Sequence, residues 1–181
     1  MGGQRSANNT SLEDDMDALA FAASFECGTS GDMTNNGRWA IDSGATHHIC
    51  NDKTKFVQLH EKNRGTLMVA NGAQADILGV GTVNETLLLP SGKTRCLTIN
   101  NVLYVPSIGK NLLSIPQLNA NKEFRVVFDD SGMAIVNKSK ESTVAVADFD
   151  AGLYWLRVAP CANAVTVLER CMLGWVMPPL A

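Results

Sequence analysis

The sequence has little positive charge and no cluster of it. No run of lysine or arginine occurs among its 15 basic residues, and its 18 acidic residues give a formal net charge of −3. Proteins that bind nucleic acid through a basic face carry the opposite balance of charge. We therefore expect no direct nucleic-acid binding by this chain.

Long hydrophobic runs are also missing. The longest apolar stretch, near residues 172–177, is far too short to span a bilayer, which takes about 20 apolar residues. The first residues, Met-Gly-Gly-Gln-Arg-Ser, lack the apolar core of a signal peptide. The sequence therefore predicts no membrane segment and no secretion signal.

Cysteine and histidine are sparse and scattered. The five cysteines are odd in number and form no Cys-x-x-Cys pair, which argues against a disulfide framework and favours a reducing, cytoplasmic location. The cluster His47-His48-x-Cys50 could suggest zinc, yet a tetrahedral site needs four ligands and the only other histidine is His60. We expect neither a metal nor a cofactor.

Composition divides the 181 residues into three parts. Residues 1–36 are rich in Ser, Asn, Thr, Asp and Gly, which predicts a disordered linker. Residues 37–158 form the predicted folded unit, and the 45% hydrophobic content of the chain is enough for a core. Residues 159–181 show no clear periodicity and predict an irregular tail.

Short alternating or β-branched runs recur through residues 37–158 with turn signals between them. This pattern predicts an all-β fold, a small closed antiparallel β-barrel. Ser114 as an N-cap, followed by Pro116, predicts one short helix that ends near Asn119. Asn71-Gly72 predicts a tight hairpin because both residues tolerate positive φ. The predicted strands are residues 38–41, 56–59, 66–70, 75–83, 86–89, 94–99, 102–105, 124–128, 133–137, 143–147 and 153–158.

One turn carries residues suited to catalysis. Asp42-Ser43-Gly44-Ala45 follows a short apolar strand, as the catalytic turn of an aspartic peptidase does. Two carboxylates in near contact cannot both ionise, so they share one proton, and one acts as base while the other acts as acid. Gly44 allows close approach of the backbone and the Ser43 hydroxyl can fix the turn. Four residues of this kind are also common in ordinary loops.

A longer segment gives the turn its context. Residues 39–48, Trp-Ala-Ile-Asp-Ser-Gly-Ala-Thr-His-His, resemble the protease region of copia-type LTR retrotransposon Gag-Pol polyproteins, whose hallmark is Trp-x-x-Asp-Ser-Gly-Ala-Thr-x-His. The resemblance covers roughly residues 37–158. Further similar blocks follow in the order and spacing of that family: residues 69–72 with 79–81, 101–106, 111–118 and 152–156.

The resemblance implies a retropepsin-like fold and an aspartic endopeptidase that processes Gag-Pol, within a virus-like particle if the element is intact. Only one Asp-Ser-Gly-Ala turn is present, so the mechanism requires a homodimer that brings the Asp42 of both copies together. The hairpin at Asn71-Gly72 would close as a flap over an extended peptide of the polyprotein. The expected catalytic residues are Asp42, Ser43 and Gly44, and the expected substrate-binding residues are Asn71, Gly72, Gly79 and Gly81.

Other residues of these blocks are expected to be structural. We expect His48 to form a hydrogen bond beside the catalytic turn, and the segment Asn111-Leu-Leu-Ser114 to pack behind it. Asp130-Ser131-Gly132 repeats part of the catalytic motif but predicts a hairpin turn. Aromatic residues expected in the core or at the edge of the barrel are Trp39, Tyr154 and Trp155.

The end of the chain departs from the family pattern. There the protease is followed by Trp-His-x-x-Leu-Gly-His, whereas residues 168–176 read Leu-Glu-Arg-Cys-Met-Leu-Gly-Trp-Val and contain no histidine. This departure keeps a second function class open, a non-catalytic β-barrel remnant of a polyprotein that acts as a dimerisation or peptide-binding module. The intact Asp42–Ala45 turn favours the enzyme, and the altered tail favours the remnant.

Overall fold

A computed structural model of the chain describes residues 37–69 and 72–160. Its strands follow the apolar runs of the sequence, with one α-helix among the described residues. The elements are β1 (Trp39–Asp42), β2 (Ile49–Cys50), β3 (Phe56–Glu61), β4 (Thr66–Met68), β5 (Gln74–Asp76), β6 (Gly79–Leu88), β7 (Thr94–Tyr104), β8 (Asn111–Ser114), α1 (Ile115–Ala120), β9 (Phe124–Asp129), β10 (Gly132–Asn137), β11 (Ser142–Asp150) and β12 (Leu153–Leu156). The all-β class and the short helix at Ser114 are confirmed.

Ten of these strands form one mixed sheet in the order β3-β6-β7-β2-β8-β1-β12-β11-β10-β9, and β4 pairs with β5 separately. The closed antiparallel barrel predicted from the sequence is therefore wrong. The sheet ends at β3 on one side and at β9 on the other, and the pairs β1–β8 and β2–β7 are parallel. Periodicity and turn signals identify strands and neighbouring hairpins, but they do not determine whether the first and last strands of a sheet meet.

One contact does bring distant parts of the sheet together. The amide of Leu88 donates to the carbonyl of Arg157 over 3.1 Å, and the amide of Ala159 donates to the carbonyl of Thr86 over 2.7 Å. These bonds surround an isolated bridge between Leu87 and Val158 and do not join the two edge strands. The sheet therefore bends back on itself without closing.

Strand β1 is buried on both of its faces. Trp39 and Ile41 point into one hydrophobic cluster, with Leu113 and Leu118, while Ala40 belongs to a second cluster, with Leu112 and Trp155. A strand covered on both faces reads as a continuous apolar run, as residues 39–41 do. Trp39 and Trp155 are core residues, as predicted, while Tyr154 is half-buried between the rings of Phe128 and Phe149.

A polar contact joins β1 to the opposite part of the sheet. The indole Nε1 of the fully buried Trp39 donates to Glu85 Oε1 over 2.8 Å. The same oxygen accepts from Lys55 Nζ over 2.5 Å. A buried Trp N–H needs a partner, and Glu85 supplies it while its own charge is balanced by Lys55.

Two of the five cysteines, Cys50 and Cys96, lie in the described part of the chain. Cys50 is a free, buried thiol, and burial raises its pKa to about 11. Cys96 is disulfide-bonded. The expected absence of a disulfide framework and the expected reducing compartment stay predictions.

Several predictions from the sequence fall outside the part of the chain that the structure describes. They are the linker over residues 1–36, the tail beyond residue 160 and the role of Asn71. Within the described residues, no helix combines the length and hydrophobicity that crossing a membrane requires.

Candidate active site

Asp42 is the last residue of β1, which lies between β8 and β12 in the sheet. In the parallel β1–β8 ladder, Asp42 is the partner of Ser114, and Ile41 is the partner of Leu113. The segment 111–114, which was expected to pack behind the Asp42 turn, is β8, the parallel ladder neighbour of β1. The buried strand fixes the Cα of Asp42 while its carboxyl group is only half-buried.

The turn after Asp42 is held by its own carboxylate. The amide of Gly44 donates to Asp42 Oδ1 over 2.7 Å, which closes a short side-chain turn. Ser43 and Gly44 are exposed, whereas Ala45 is fully buried and anchors the turn in the core. One carboxyl oxygen is therefore oriented by the backbone at an accessible tip.

Burial raises the pKa of Asp42 above its ordinary value of 3.8, although the amides of Gly44 and Ala45 act in the opposite direction. A carboxyl group that holds its proton more tightly than usual is what a shared-proton pair requires. The desolvation present in one chain already favours the protonated form before a second carboxylate is considered.

Three hydrogen bonds tie the segment after Asp42 to the start of α1. The hydroxyl of Ser114 donates to the carbonyl of Ala45 over 2.6 Å, and Gln117 Nε2 donates to the carbonyl of Thr46 over 2.9 Å. The amide of Ser114 donates to His48 Nδ1 over 3.0 Å. The predicted role of His48 as a hydrogen-bonding residue beside the turn is confirmed.

The bond to His48 defines the state of its ring. Nδ1 accepts a hydrogen bond from the Ser114 amide, so it carries no proton itself, and the neutral ring has its proton on Nε2. Burial, with a smaller contribution from the charge of neighbouring His47, lowers the pKa of His48 from 6.5 to about 4. Hydrogen bonding and burial therefore both require a neutral imidazole.

The hairpin β4–β5 shares a hydrophobic cluster with the buried end of the Asp42 turn. Its inward residues Leu67 and Ala75 pack in the same hydrophobic cluster as Ala45. The hairpin turn closes through bonds from the Gly72 amide to the Val69 carbonyl and from the Val69 amide to the Ala73 carbonyl, at 2.8 and 2.9 Å. Gly72 has a φ of +80°, which confirms the sequence reason for placing a glycine there.

Gly79 and Gly81 were expected to bind substrate, but they lie outside the hairpin β4–β5 that was proposed as the flap. Both are in β6, where a Cβ would meet the backbone of β3: Gly79 would place it 2.9 Å from the His60 carbonyl oxygen, and Gly81 2.1 Å from that of Gln58. These two glycines therefore allow β6 to pack closely against β3. The role of these glycines, of Gly72 and of Asn71 in substrate binding stays a prediction.

The second Asp-Ser-Gly sequence is a hairpin turn, as predicted. Asp129 Oδ1 accepts from the amide of Ser131 over 2.8 Å, and residues 130–131 connect β9 to β10. Asp130 is exposed at this turn. Across the described part of the chain, no group of three His, Cys, Asp or Glu side chains is arranged to hold a metal ion.

Sequence reasoning missed Gln117 as a support of the segment that follows Asp42. The pattern Ser114-x-x-Gln117 is a capping-box signature and could have drawn attention to it. What the pattern does not indicate is that the Gln117 side chain reaches Thr46, a residue 71 positions earlier in the chain.

A comparison with protein families finds a match for the part of the chain that contains the Asp42 turn. Residues 39–124 match the family model of the Pol polyprotein β-barrel domain. That match begins at Trp39, the first residue of β1, and ends at Phe124, the first residue of β9. The predicted resemblance to retrotransposon Pol polyproteins is confirmed for residues 39–124.

Individual relatives show the same similarity. The chain is 40% identical over 94 residues to the retrovirus-related Pol polyprotein from transposon RE1 of Arabidopsis thaliana, and 40% identical over 91 residues to the one from transposon RE2. It is 29% identical over 82 residues to the putative transposon Ty5-1 protein YCL075W of Saccharomyces cerevisiae. These matches cover 50%, 49% and 45% of this chain, but 6%, 6% and 50% of the relatives. No solved structure matches the chain.

Proposed function

We propose that this chain acts as an aspartic-type endopeptidase that cuts a retrotransposon polyprotein, with one Asp42 from each copy of a homodimer. The observation that carries the proposal is the half-buried Asp42 carboxyl group at the tip of a buried strand, oriented by the Gly44 amide. Its pKa is raised by burial. One chain supplies one such turn, so the second carboxylate comes from a second copy.

The proposed chemistry needs a single proton between the two carboxyl groups. The ionised Asp42 takes a proton from a water molecule as that water attacks the peptide carbonyl carbon. The protonated Asp42 of the second copy gives its proton to the carbonyl oxygen, which forms a tetrahedral diol. The first Asp42 then passes the proton taken from water to the peptide nitrogen, the C–N bond breaks, and a diol hydroxyl returns a proton to the second Asp42, so that the pair again holds one proton. The rate should therefore depend on pH as a bell with an acidic optimum.

The hairpin β4–β5 is the proposed cover of the site. It shares a hydrophobic cluster with Ala45, and it forms a sheet separate from the main one, so it can move without breaking a ladder of the ten-stranded sheet. An extended peptide between hairpin and Asp42 turn would bind by backbone hydrogen bonds. Closure would exclude water from the reacting peptide bond.

The test is cleavage of unfolded, fluorescein-labelled casein by the purified chain at about 50 µM, a working concentration chosen so that weak dimers form. Cleavage should be blocked by a statine-containing peptide, whose hydroxyl mimics the tetrahedral intermediate between the carboxylates. Asp42→Asn should abolish it. Asp130→Asn is the matched control, because Asp130-Ser131-Gly132 repeats the motif at a hairpin turn, and it should leave the rate unchanged.

The second function class makes a different prediction for the same experiment. A non-catalytic remnant that dimerises or binds peptide would show no cleavage between about pH 4 and 7, where a shared-proton pair titrates. It would still bind the statine peptide or sediment as a dimer. That combination would replace the peptidase by a binding module.

A further inference from the structure

The first turn of α1 has the sequence of a capping box but forms only part of its hydrogen-bond pattern. Ser114 is the N-cap, and its hydroxyl accepts from the amide of Gln117 over 3.2 Å. In a complete capping box the Gln117 side chain would bond back to the amide of Ser114. Here the Ser114 amide donates to His48 and the Gln117 side chain donates to Thr46. Both groups that would close the box are used to hold the segment that follows Asp42.

Ser114 connects these bonds. Its hydroxyl donates to the carbonyl of Ala45, while its backbone is the ladder partner of Asp42. The position of the Ser114 backbone therefore sets the distance between α1 and the buried end of the Asp42 turn. His48 fixes that backbone from the opposite side, since the amide of Ser114 points to its ring.

We propose that His48 is a positioning residue for Asp42, holding Ser114 through the Nδ1 acceptor so that Ser114 in turn holds the Asp42 turn in its working position. This inference rests on the proposed peptidase function for its consequence, but the contacts that carry it lie within one chain. It assigns no contact between His48 and substrate.

The arrangement depends on a neutral His48. A proton on Nδ1 would place two N–H groups face to face and break the bond to Ser114. His48 is 5% exposed and packs against β7, where its carbonyl accepts from the Leu103 amide, and against β8 at Ser114; neither residue ionises. The ionisable neighbour that acts on it is His47 in its own segment. Acid should therefore release the Asp42 turn before it unfolds the sheet.

Three variants of the full chain test the proposal. His48→Asn keeps an acceptor, because asparagine Oδ1 takes the place of Nδ1, but it does not titrate. His48→Leu removes the acceptor at similar volume. His60→Leu is the matched control, since His60 is exposed on β3 and takes no part in the proposed site. The readouts are kcat and KM on the labelled casein between pH 4 and 7, and carbon-13 NMR of the Asp42 carboxyl with the Ser114 amide signal.

The expected results separate positioning from general stability. His48→Leu should lower kcat roughly ten- to hundredfold with KM within about threefold, since a displaced reacting group lowers the rate more than binding. His48→Asn should restore kcat to within about threefold of the original chain and lose less activity towards pH 4. In NMR, the Ser114 amide should follow an acid titration in the original chain and in His60→Leu, but not in His48→Asn.

Two results would overturn the proposal. One is an equal loss of kcat in His48→Asn and His48→Leu, which would mean that ring volume matters and the acceptor does not. The other is an acid titration of the Ser114 and Asp42 signals that is the same in His48→Asn and in the original chain. If the original chain cleaves nothing, the proposed function fails, and the NMR comparison still decides the role of His48. If His48→Leu does not fold, the same comparison with His48→Asn decides it.

Discussion

Asp42 and Ser114 are partners in the parallel ladder between β1 and β8, and the Ser114 hydroxyl is 2.6 Å from the carbonyl oxygen of Ala45 in the turn that Asp42 begins. The candidate catalytic residue and the cap of the one described α-helix are thus one structural unit. Most of the expected effects of mutation follow from how this unit is buried and hydrogen-bonded.

Asp42→Asn should stabilise the chain, and more so at neutral than at acidic pH. Because burial raises the folded pKa of Asp42, its favourable contribution is present below the unfolded value near 3.8 and is lost as pH rises through the folded value. Asparagine keeps an acceptor for the Gly44 amide without this loss. Thermal melts at pH 4 and pH 7 measure the effect, with Asp130→Asn as control. A gain that is larger at pH 4 than at pH 7 would contradict it.

A mixing experiment should reveal the dimer. If the active pair needs one Asp42 from each copy, excess Asp42→Asn chain should capture original chains in inactive heterodimers and lower cleavage well below simple dilution. Excess Asp130→Asn chain should not, since its dimers keep both carboxylates. Casein cleavage at a fixed concentration of the original chain gives the measurement. Equal effects of the two additives would argue against a shared site.

His48 should make the fold sensitive to mild acid. Its pKa falls from 6.5 to about 4 on folding, so the unfolded chain binds the proton more readily between these values. The stabilisation is complete above about pH 6.5 and is lost as pH falls towards 4. At 1.36 kcal/mol per unit, the full loss is about 3 kcal/mol. Urea unfolding of the original chain and of His48→Asn at several pH values measures it. Parallel pH dependences in the two chains would refute the assignment.

The glycines of β6 and of the hairpin should respond differently to the same substitution. Gly81→Ala would place a methyl group 2.1 Å from the Gln58 carbonyl oxygen and should destabilise the chain by about 3 kcal/mol or more, since β3 must separate from β6. Gly72→Ala meets nothing within 4 Å and carries only the strain of its φ of +80°, about 1–2 kcal/mol. Urea unfolding compares them. A larger effect at Gly72 would show that the hairpin turn, and not the β3–β6 contact, is the tighter constraint.

Glu85 should be important for its acceptor more than for its charge. Glu85→Ala leaves the buried Trp39 Nε1 without a partner and Lys55 without a counter-ion, which should destabilise the chain by about 2–4 kcal/mol. Glu85→Gln keeps an oxygen for Trp39 and should lose about half as much. Chemical unfolding followed by tryptophan fluorescence measures both. Equal losses would mean that the ion pair with Lys55 dominates.

The sequence predicted most strands because each is defined by local alternation, whereas the catalytic role of the Asp42 turn stays a prediction. It divided residues 94–105 into two strands at Asn100-Asn101, whereas β7 continues through them. Asn101 has a φ of +55° where the pairing of β6 and β7 shifts between Gly81 and Val83, so two residues of β7 oppose one of β6 in a bulge. A polar pair inside a long strand has the same local signature as a turn.

Residues 75–83 show the opposite error. They were predicted as one strand, but the chain leaves the hairpin after Asp76 and enters the large sheet at Gly79. The amide of Ile77 donates to the carbonyl of Gly65, and that of Leu78 donates to the carbonyl of Tyr104, so successive residues bond to different sheets. Pairings between distant segments, such as β1 with β8 or Gln117 with Thr46, leave no trace in local periodicity. These distant pairings determine the order of strands in the open sheet and the hydrogen bonds that hold the segment after Asp42.

The position of β1 in the sheet has a consequence for how the site forms during synthesis. Its two neighbours, β8 and β12, begin at Asn111 and Leu153, so Asp42 leaves the ribosome long before either partner exists. If Asp42 acts as proposed, its turn would be inert in the nascent chain and in any copy that stops before Leu156, however well the Asp-Ser-Gly-Ala sequence is preserved. Under the proposed function, the order of the strands would thus delay proteolysis until most of residues 39–156 are synthesised.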